Sequence, residues 1–283
     1  MMNKDEATMD GSGSLHADRK TVTGAIRLGL GYAGLVIMCF SVSLLALVMR
    51  AALPVEISQR WGRQFVSATF RAYLRFLVII GACRFDLTEL DGLRDSPPVI
   101  VAPNHPCLLD AILVLSRLPG AGCIMKAELV NNIFFGAGAR LLGYTRNTPL
   151  RSMVQLAIAD LHAGNHLLLF PEGTRTTRFP VGRMQGTTGL ISKYANVPVQ
   201  TVFIETNSGF LGKSWSIFRV PAMPVTYRVR IGKRFSPPED TAAFTRELEQ
   251  YFQTELAHAQ LPAFGGEEPL SLNGLAGAGK IRE

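Results

Sequence analysis

His105 stands five positions before Asp110 in NHPCLLD (104–110), with Cys107 between them. Three roles fit these residue types. An imidazole held by a carboxylate can take the proton from a hydroxyl, because the carboxylate fixes the tautomer and stabilises the cation that forms. A thiol beside an imidazole can act as a nucleophile. A histidine after a strand and an aspartate capping a helix can also be purely structural. A second polar cluster, FPEGTR (170–175), sets Glu172 and Arg175 around a Gly-Thr turn. A guanidinium there suits a fixed anion such as phosphate, which it grips through a planar fork. No GxSxG elbow occurs, so the hydroxyl to be activated belongs to a substrate. A base and an anion clamp, joined to the membrane anchor described below, point to acylation or deacylation of a phosphorylated lipid.

The elements around these clusters set their positions. PPVIVAPNH reads as a buried strand, DAILVLSRL as a helix and GCIMKAEL as a short strand. AELVNNIFFGAGARLLG and LRSMVQLAIADLHAG are helices, the second ended by Gly164. HLLLF is a strand running straight into PEGTR, GTTGLISKYAN a helix and VPVQTVFIE a strand. PVTYRVRIGKRF alternates and reads as a strand nearer an edge. FTRELEQYFQTELAHA carries Phe244, Leu248, Tyr251, Phe252 and Leu256 on one face and closes the domain as an amphipathic helix. Strands alternating with helices make an α/β sheet with helices on its faces. His105 and Asp110 follow one strand, and Glu172 and Arg175 follow another. Strand ends are where open α/β sheets bind ligands, so the two polar loops can form one cleft.

The chain has 283 residues, 47% of them apolar, and a net charge of +7. That apolar fraction is high for a wholly soluble enzyme. A basic surface suits anionic lipid or acidic substrates. Nucleic acid is excluded, because no basic run is interleaved with aromatics and no zinc-finger spacing occurs. None of the cysteines, Cys39, Cys83, Cys107 and Cys123, forms a CxxC pair, which fits free thiols in a reducing compartment.

Residues 1–23 are polar and expected to be disordered. LGLGYAGLVIMCFSVSLLALVM (28–49) is uncharged, bracketed by Arg27 and Arg50, and long enough to cross a bilayer core of roughly 30 Å as a helix. Its length, late start and lack of a following cleavage site argue against a signal peptide. The arginines after it (Arg50, Arg60, Arg63, Arg71, Arg75, Arg84) place the C-terminal part in the cytoplasm. RQFVSATFRAYLRFLVIIG (63–81) is amphipathic. It either lies at the headgroup level with Arg63, Arg71 and Arg75 near lipid phosphates, or is the second helix of an ordinary packed hairpin. The expected organisation is a two-helix membrane module over 24–82, a catalytic domain over 83–262 and a loose tail over 263–283.

NHPCLLD at 104 and FPEGTR at 170 resemble, in type and order, the first and third blocks of the glycerolipid acyltransferase family. This family includes the 1-acyl-sn-glycerol-3-phosphate (lysophosphatidic acid) acyltransferases. GYTRNT (143–148) puts Arg146 at the second block's arginine, NVPVQTVFI resembles the fourth block, and KAEL (126–129) extends the similarity. Cys107 stands where many relatives have serine. The resemblance implies a mixed α/β sheet flanked by helices, with the N-terminal two-helix membrane module preceding it. It also implies that His105 takes the proton from an acceptor hydroxyl as that hydroxyl attacks an acyl thioester, and that Asp110 orients His105. Glu172, Gly173 and Thr174 would shape the acceptor site, and Arg175 and Arg146 would hold the acceptor's phosphate. Asn104 and Lys126 join them as substrate contacts, Lys126 steering donor or lipid phosphate. Backbone amides near the first block would meet the tetrahedral oxyanion. Phe134 and Phe135, with the membrane helices, would set acyl-chain length. No metal or bound cofactor is implied; the co-substrate is an acyl-ACP or acyl-CoA thioester. The partners are a lysophospholipid, the acyl carrier protein or coenzyme A, and membrane lipid, at a bacterial-type inner membrane. The product is phosphatidic acid. The alternatives are the same chemistry on a lyso-ornithine lipid or non-glycerol alcohol, or a non-catalytic lipid-binding membrane protein.

Overall fold

A seven-stranded mixed sheet is sandwiched between two helical layers. The computed structural model describes residues 10–125, 145–146 and 150–257. The strands are β1 (Cys83–Asp86), β2 (Ile100–Pro103), β3 (Gly122–Met125), β4 (Thr145–Arg146), β5 (Leu167–Leu168), β6 (Val199–Thr206) and β7 (Val225–Phe235). The helices are α1 (Asp10–Ala52), α2 (Val55–Ile79), α3 (Asp110–Arg117), α4 (Leu150–His162), α5 (Thr187–Ala195) and α6 (Thr241–Ala257). Strand order is β1-β7-β6-β2-β5-β3-β4. All neighbours pair in parallel except β6 and β7.

The period-2 alternation of a strand explains the two cores. Val99 and Val101 point into one, with Leu28, Tyr73 and Leu77 of the first two helices and Leu113 of α3. Ile100 and Ala102 point into the other, with Met153, Ile191 and the Phe244, Leu248, Phe252 and Leu256 stripe of α6. A strand covered on both faces reads as a continuous apolar run, which is why β2 is legible. β7 lies one strand in from the β1 edge, as its alternation suggested. β1 and the two-residue β4 left no sequence signal: one is short and charged, and the other is too short for a period.

Helices α1 and α2 form a hairpin laid along the domain. Gly31 and Gly34 let it close: a Cβ on Gly34 would meet the Phe76 ring at 2.8 Å. Helix α1 starts at Asp10, so residues 10–23, expected to be disordered, are helical. Once the apolar stretch has nucleated the helix, extending it through ordinary residues costs little. Residues 1–9 and the tail 263–283 lie outside the described residues, as does the expected helix 127–143.

The arginines of α2 correct a second expectation. Arg63 is buried and bonds Asp160 at 2.9 Å and the Gly120 carbonyl at 3.1 Å. Arg71 donates to Ser67 Oγ at 2.9 Å and to the Ser116 carbonyl at 3.0 Å. Both turn to the domain rather than to lipid phosphates. Ser116 lies in the last turn of α3, whose free carbonyls draw a cation. Ile57, Trp61 and Phe65 are exposed instead, and Arg75 is exposed too.

Removing one partner of a buried pair leaves the other charge uncompensated. Asp160→Ala is expected to destabilise the protein by about 3 kcal/mol, the low end for a broken buried pair, since Asp160 keeps 19% exposure. Thermal unfolding of the purified protein reads this as a lower Tm. An unchanged Tm would mean that the pair does not brace α2.

Candidate active site

Parallel pairing puts the C-terminal ends of β2 and β5 side by side, with Val101 opposite Leu168. The loops 104–110 and 169–176 leave from these adjacent ends and meet. Asp110 begins α3 and is fully buried, and its carboxylate faces back into the first loop. His105 Nδ1 lies 2.8 Å from Asp110 Oδ2. The same oxygen accepts the Cys107 amide at 2.8 Å, and Oδ1 accepts the Cys107 thiol at 3.0 Å. With Nδ1 donating to a carboxylate, Nε2 keeps its lone pair, the arrangement a general base needs. Phe170 stacks on the His105 ring, centroids 3.9 Å apart and planes 21° from parallel.

The second loop is braced from inside. Glu172 is buried. Its Oε1 accepts the His105 amide at 3.0 Å and the Thr176 hydroxyl at 2.8 Å, and its Oε2 accepts the Gly182 amide at 2.8 Å. The Thr176 amide donates to the His105 carbonyl at 2.7 Å. Gly173 is exposed and takes φ +65°, a conformation that favours glycine. Thr174 beside it is half-exposed. Arg175 Nη1 donates to the carbonyls of Leu211 and Gly212 at 3.0 and 3.1 Å. Its Nε and Nη2 have no partner among the described residues, so an anion can still meet the remaining donors of the fork.

Similarity to known proteins bears on this geometry. A family model described as Acyltransferase matches residues 84–205, which hold both loops. The 1-acyl-sn-glycerol-3-phosphate acyltransferase of Pseudomonas aeruginosa is 26% identical over 203 residues, 64% of this chain and 75% of that protein. These matches support a place for this chain in the glycerolipid acyltransferase family. The chain is an O-acyltransferase. The crystal structure of the 1-acyl-sn-glycerophosphate (LPA) acyltransferase PlsC from Thermotoga maritima shares the fold. It matches with a TM-score of 0.66 at 17% identity, over 84% of this chain and 96% of that one.

Within this acyltransferase several expected roles change. Asn104 is buried, and both ends of its amide bond the Ile204 backbone: Nδ2 donates to the carbonyl at 3.0 Å and Oδ1 accepts the amide at 2.7 Å. It ties the end of β2 to β6. Glu172 is an internal strut of the loop that carries Arg175. The amides of the first block are spent as well. Those of His105 and Cys107 go to carboxylates, that of Leu108 to the Leu211 carbonyl and that of Leu109 to the Cys107 sulfur. Arg146 sits in the edge strand β4, two strands from β5, with its side chain outside the described residues. Lys126, Phe134 and Phe135 also lie outside them.

The sequence alone did not single out Phe170, Thr176 or the Leu211–Gly212 carbonyls. Phe170 opens FPEGTR and Thr176 follows it, so both could have been found there. Leu211 and Gly212 lie in the long β6–β7 connection, and nothing in their types announces the contact. An apolar crevice opens between the hairpin and the first loop, lined by Leu28, Tyr32, Tyr73, Leu77, Leu109 and Leu211.

Cys107 is 1% exposed. Burial, with the Asp110 carboxylate beside it, pushes its thiol well above the ordinary range. It stays protonated and donates to Asp110, which is the opposite of an attacking thiolate. The Tyr227 hydroxyl, buried and without a hydrogen-bond partner among the described residues, lies beside it. Cys107→Ser keeps a donor on Asp110 and is expected to retain kcat within a few-fold. Cys107→Ala leaves a buried carboxylate oxygen unpaired and is expected to cost about 1–3 kcal/mol of stability. Loss of all turnover in a folded serine variant would instead make the sulfur a nucleophile.

Proposed function

We propose that the enzyme transfers a fatty acyl group from an acyl thioester to the free hydroxyl of 1-acylglycerol-3-phosphate, giving phosphatidic acid. The observation that carries this is the His105–Asp110 pair at one strand end, with Arg175 presented from the adjacent one. The Pseudomonas relative, named a 1-acyl-sn-glycerol-3-phosphate acyltransferase, supports the choice of acceptor.

His105 Nε2 takes the acceptor's hydroxyl proton as the oxygen attacks the thioester carbonyl. The imidazolium that forms is stabilised by Asp110. The tetrahedral intermediate then expels the thiolate, which takes the proton back from His105. No acyl-enzyme forms, and the proton count closes on the same nitrogen. Arg175 holds the acceptor's phosphate through its remaining donors, fixing the hydroxyl relative to the base. The donor is acyl-ACP or acyl-CoA, both acidic, and the +7 net charge favours their approach.

The enzyme works at a membrane. Thr21–Met49 of α1 is apolar and long enough to cross one. Yet α1 packs along α2 from Leu28 to Ala46, and α2 packs on α3. A helix tied lengthwise to a polar domain inserts its outer face rather than standing free in the bilayer, so the hairpin dips into one leaflet. The catalytic domain then faces the cytoplasm.

Purified enzyme should be offered acyl-ACP and acyl-CoA with a panel of lysolipids, following thiol release and new lipid by mass spectrometry. Wild type is expected to form phosphatidic acid, and His105→Ala to lose at least ~100-fold in rate, the low end for a general base. Arg175→Lys is expected to raise KM for phosphate-bearing acceptors above that for zwitterionic ones. Acylation of a different acceptor would keep the chemistry and replace the substrate. No thiol release from folded enzyme with any pair would overturn the reading.

A further inference from the structure

The connection between β6 and β7, residues 207–224, belongs to neither sequence block. It runs NSGFLGKSWSIFRVPAMP and contains Lys213 and Arg219 but no acidic residue. At its tip Phe218 is 87% exposed and Ile217 58%. Scattered exposed apolar residues need no explanation, but these two are adjacent and held out by a braced loop. Trp215 Nε1 donates to the Arg219 carbonyl at 3.2 Å, and the Arg219 guanidinium lies 4.5 Å over the Trp215 ring. Phe210 packs edge-on against the same ring. The loop is pinned on two flanks. On one, Leu211 and Gly212 carry the Arg175 guanidinium, and Leu211 accepts the Leu108 amide of the first block. On the other, Tyr32 of α1 donates to the Ile217 carbonyl at 3.0 Å, and Val220 lies against Gly24.

We propose that this loop is a second membrane-contacting element, whose Ile217–Phe218 tip enters the interface of an anionic phospholipid bilayer and seats the mouth of the active site on it. Two observations select a bilayer over a protein partner. The tip is fixed to α1 through the Tyr32–Ile217 bond, in the stretch of that helix where Val22, Ile26 and Leu30 are exposed, so exposed apolar side chains stand on both elements. Its only charges are cations, one stacked on an indole, the arrangement suited to the headgroup level of an anionic surface. Because the same loop holds Arg175 and the first block, its depth fixes the height of the site above the acyl chains. A lysolipid then reaches Arg175 and His105 without leaving the membrane.

The test needs no turnover, so it stands apart from the identity of the acceptor. The chain has two tryptophans, Trp61 and Trp215. The full chain carrying Trp61→Phe, Trp215→Phe and Phe218→Trp has one indole, at the tip. It is reconstituted into phosphatidylcholine–phosphatidylglycerol vesicles with and without brominated acyl chains. The control replaces Tyr194, exposed on α5 in the opposite layer, by Trp in the same background with Phe218 retained. Quenching at 218 several-fold stronger than at 194, with blue-shifted emission, is the expected result. Equal quenching at the two positions overturns the proposal. Trp61→Phe alone leaves the native Trp215 three residues from the tip. It gives the same reading should the triple variant not fold: quenching above the Tyr194 level supports the contact, and none overturns it.

Discussion

The buried carboxylate of Glu172 joins the two halves of the site. A charge taken out of water must be satisfied in place, and Glu172 is satisfied by three donors from three stretches of chain: the His105 amide, the Thr176 hydroxyl and the Gly182 amide. Each bond therefore constrains where its owner can be. The backbone of the base is fixed to the loop that presents Arg175, and that loop is folded back on the segment leading to α5. Asp110 repeats the device one step further in, fixing the imidazole and the thiol from a fully buried position. Two carboxylates thus hold the site, and neither is free to touch a substrate.

This arrangement depends on the sheet. Glu172 reaches the His105 amide because β2 and β5 are hydrogen-bonded neighbours, although their loops lie far apart in sequence. Asn104 adds the third strand, pairing with the Ile204 backbone so that β6 holds the start of the first loop. Without these ties, the first loop would sample many conformations and the imidazole would have no fixed place. The catalytic contribution of the fold is this pre-organisation.

How much was legible in the sequence follows from the same physics. β2 and α6 were legible because a fully buried strand and an amphipathic helix write their environment into residue type. The pairing of His105 with Asp110 was legible because it is local, five residues across one turn. The use of Asn104 and Glu172 as struts was not, since an amide or carboxylate looks the same whether it faces a ligand or a backbone group of a distant strand. Arg63 and Arg71 were left between two readings for a related reason. Their spacing showed that they share a face of α2, but spacing cannot tell whether that face meets lipid phosphates or the carbonyls at the end of α3. The alternative of a plain packed hairpin, weighed beside the lipid-facing one, describes that face of α2. The start of α1 at Asp10 was hidden because helix continuation depends on the neighbouring nucleus more than on local composition.

Strand polarity explains why the helical hairpin and the His105 loop share one end of the molecule. β7 runs against β6, and β1 runs with β7. The start of β1 at Cys83 therefore lies at the same end as the C-termini of β2 and β5. Helix α2 leads into β1, so its C-terminal end must arrive there too, and the antiparallel α1 brings its Gly24–Leu35 portion alongside. The outcome is that the crevice between hairpin and domain ends at Leu109, next to Asp110, and at Leu211, beneath Arg175. The apolar crevice thereby lies beside the two polar loops. Reversing β1 alone would send α2 to the far end of the sheet and separate the apolar surface from the base. The two-helix element thus does more than tether the enzyme: its direction of travel, set by one antiparallel strand pair, aligns the apolar surface with the site.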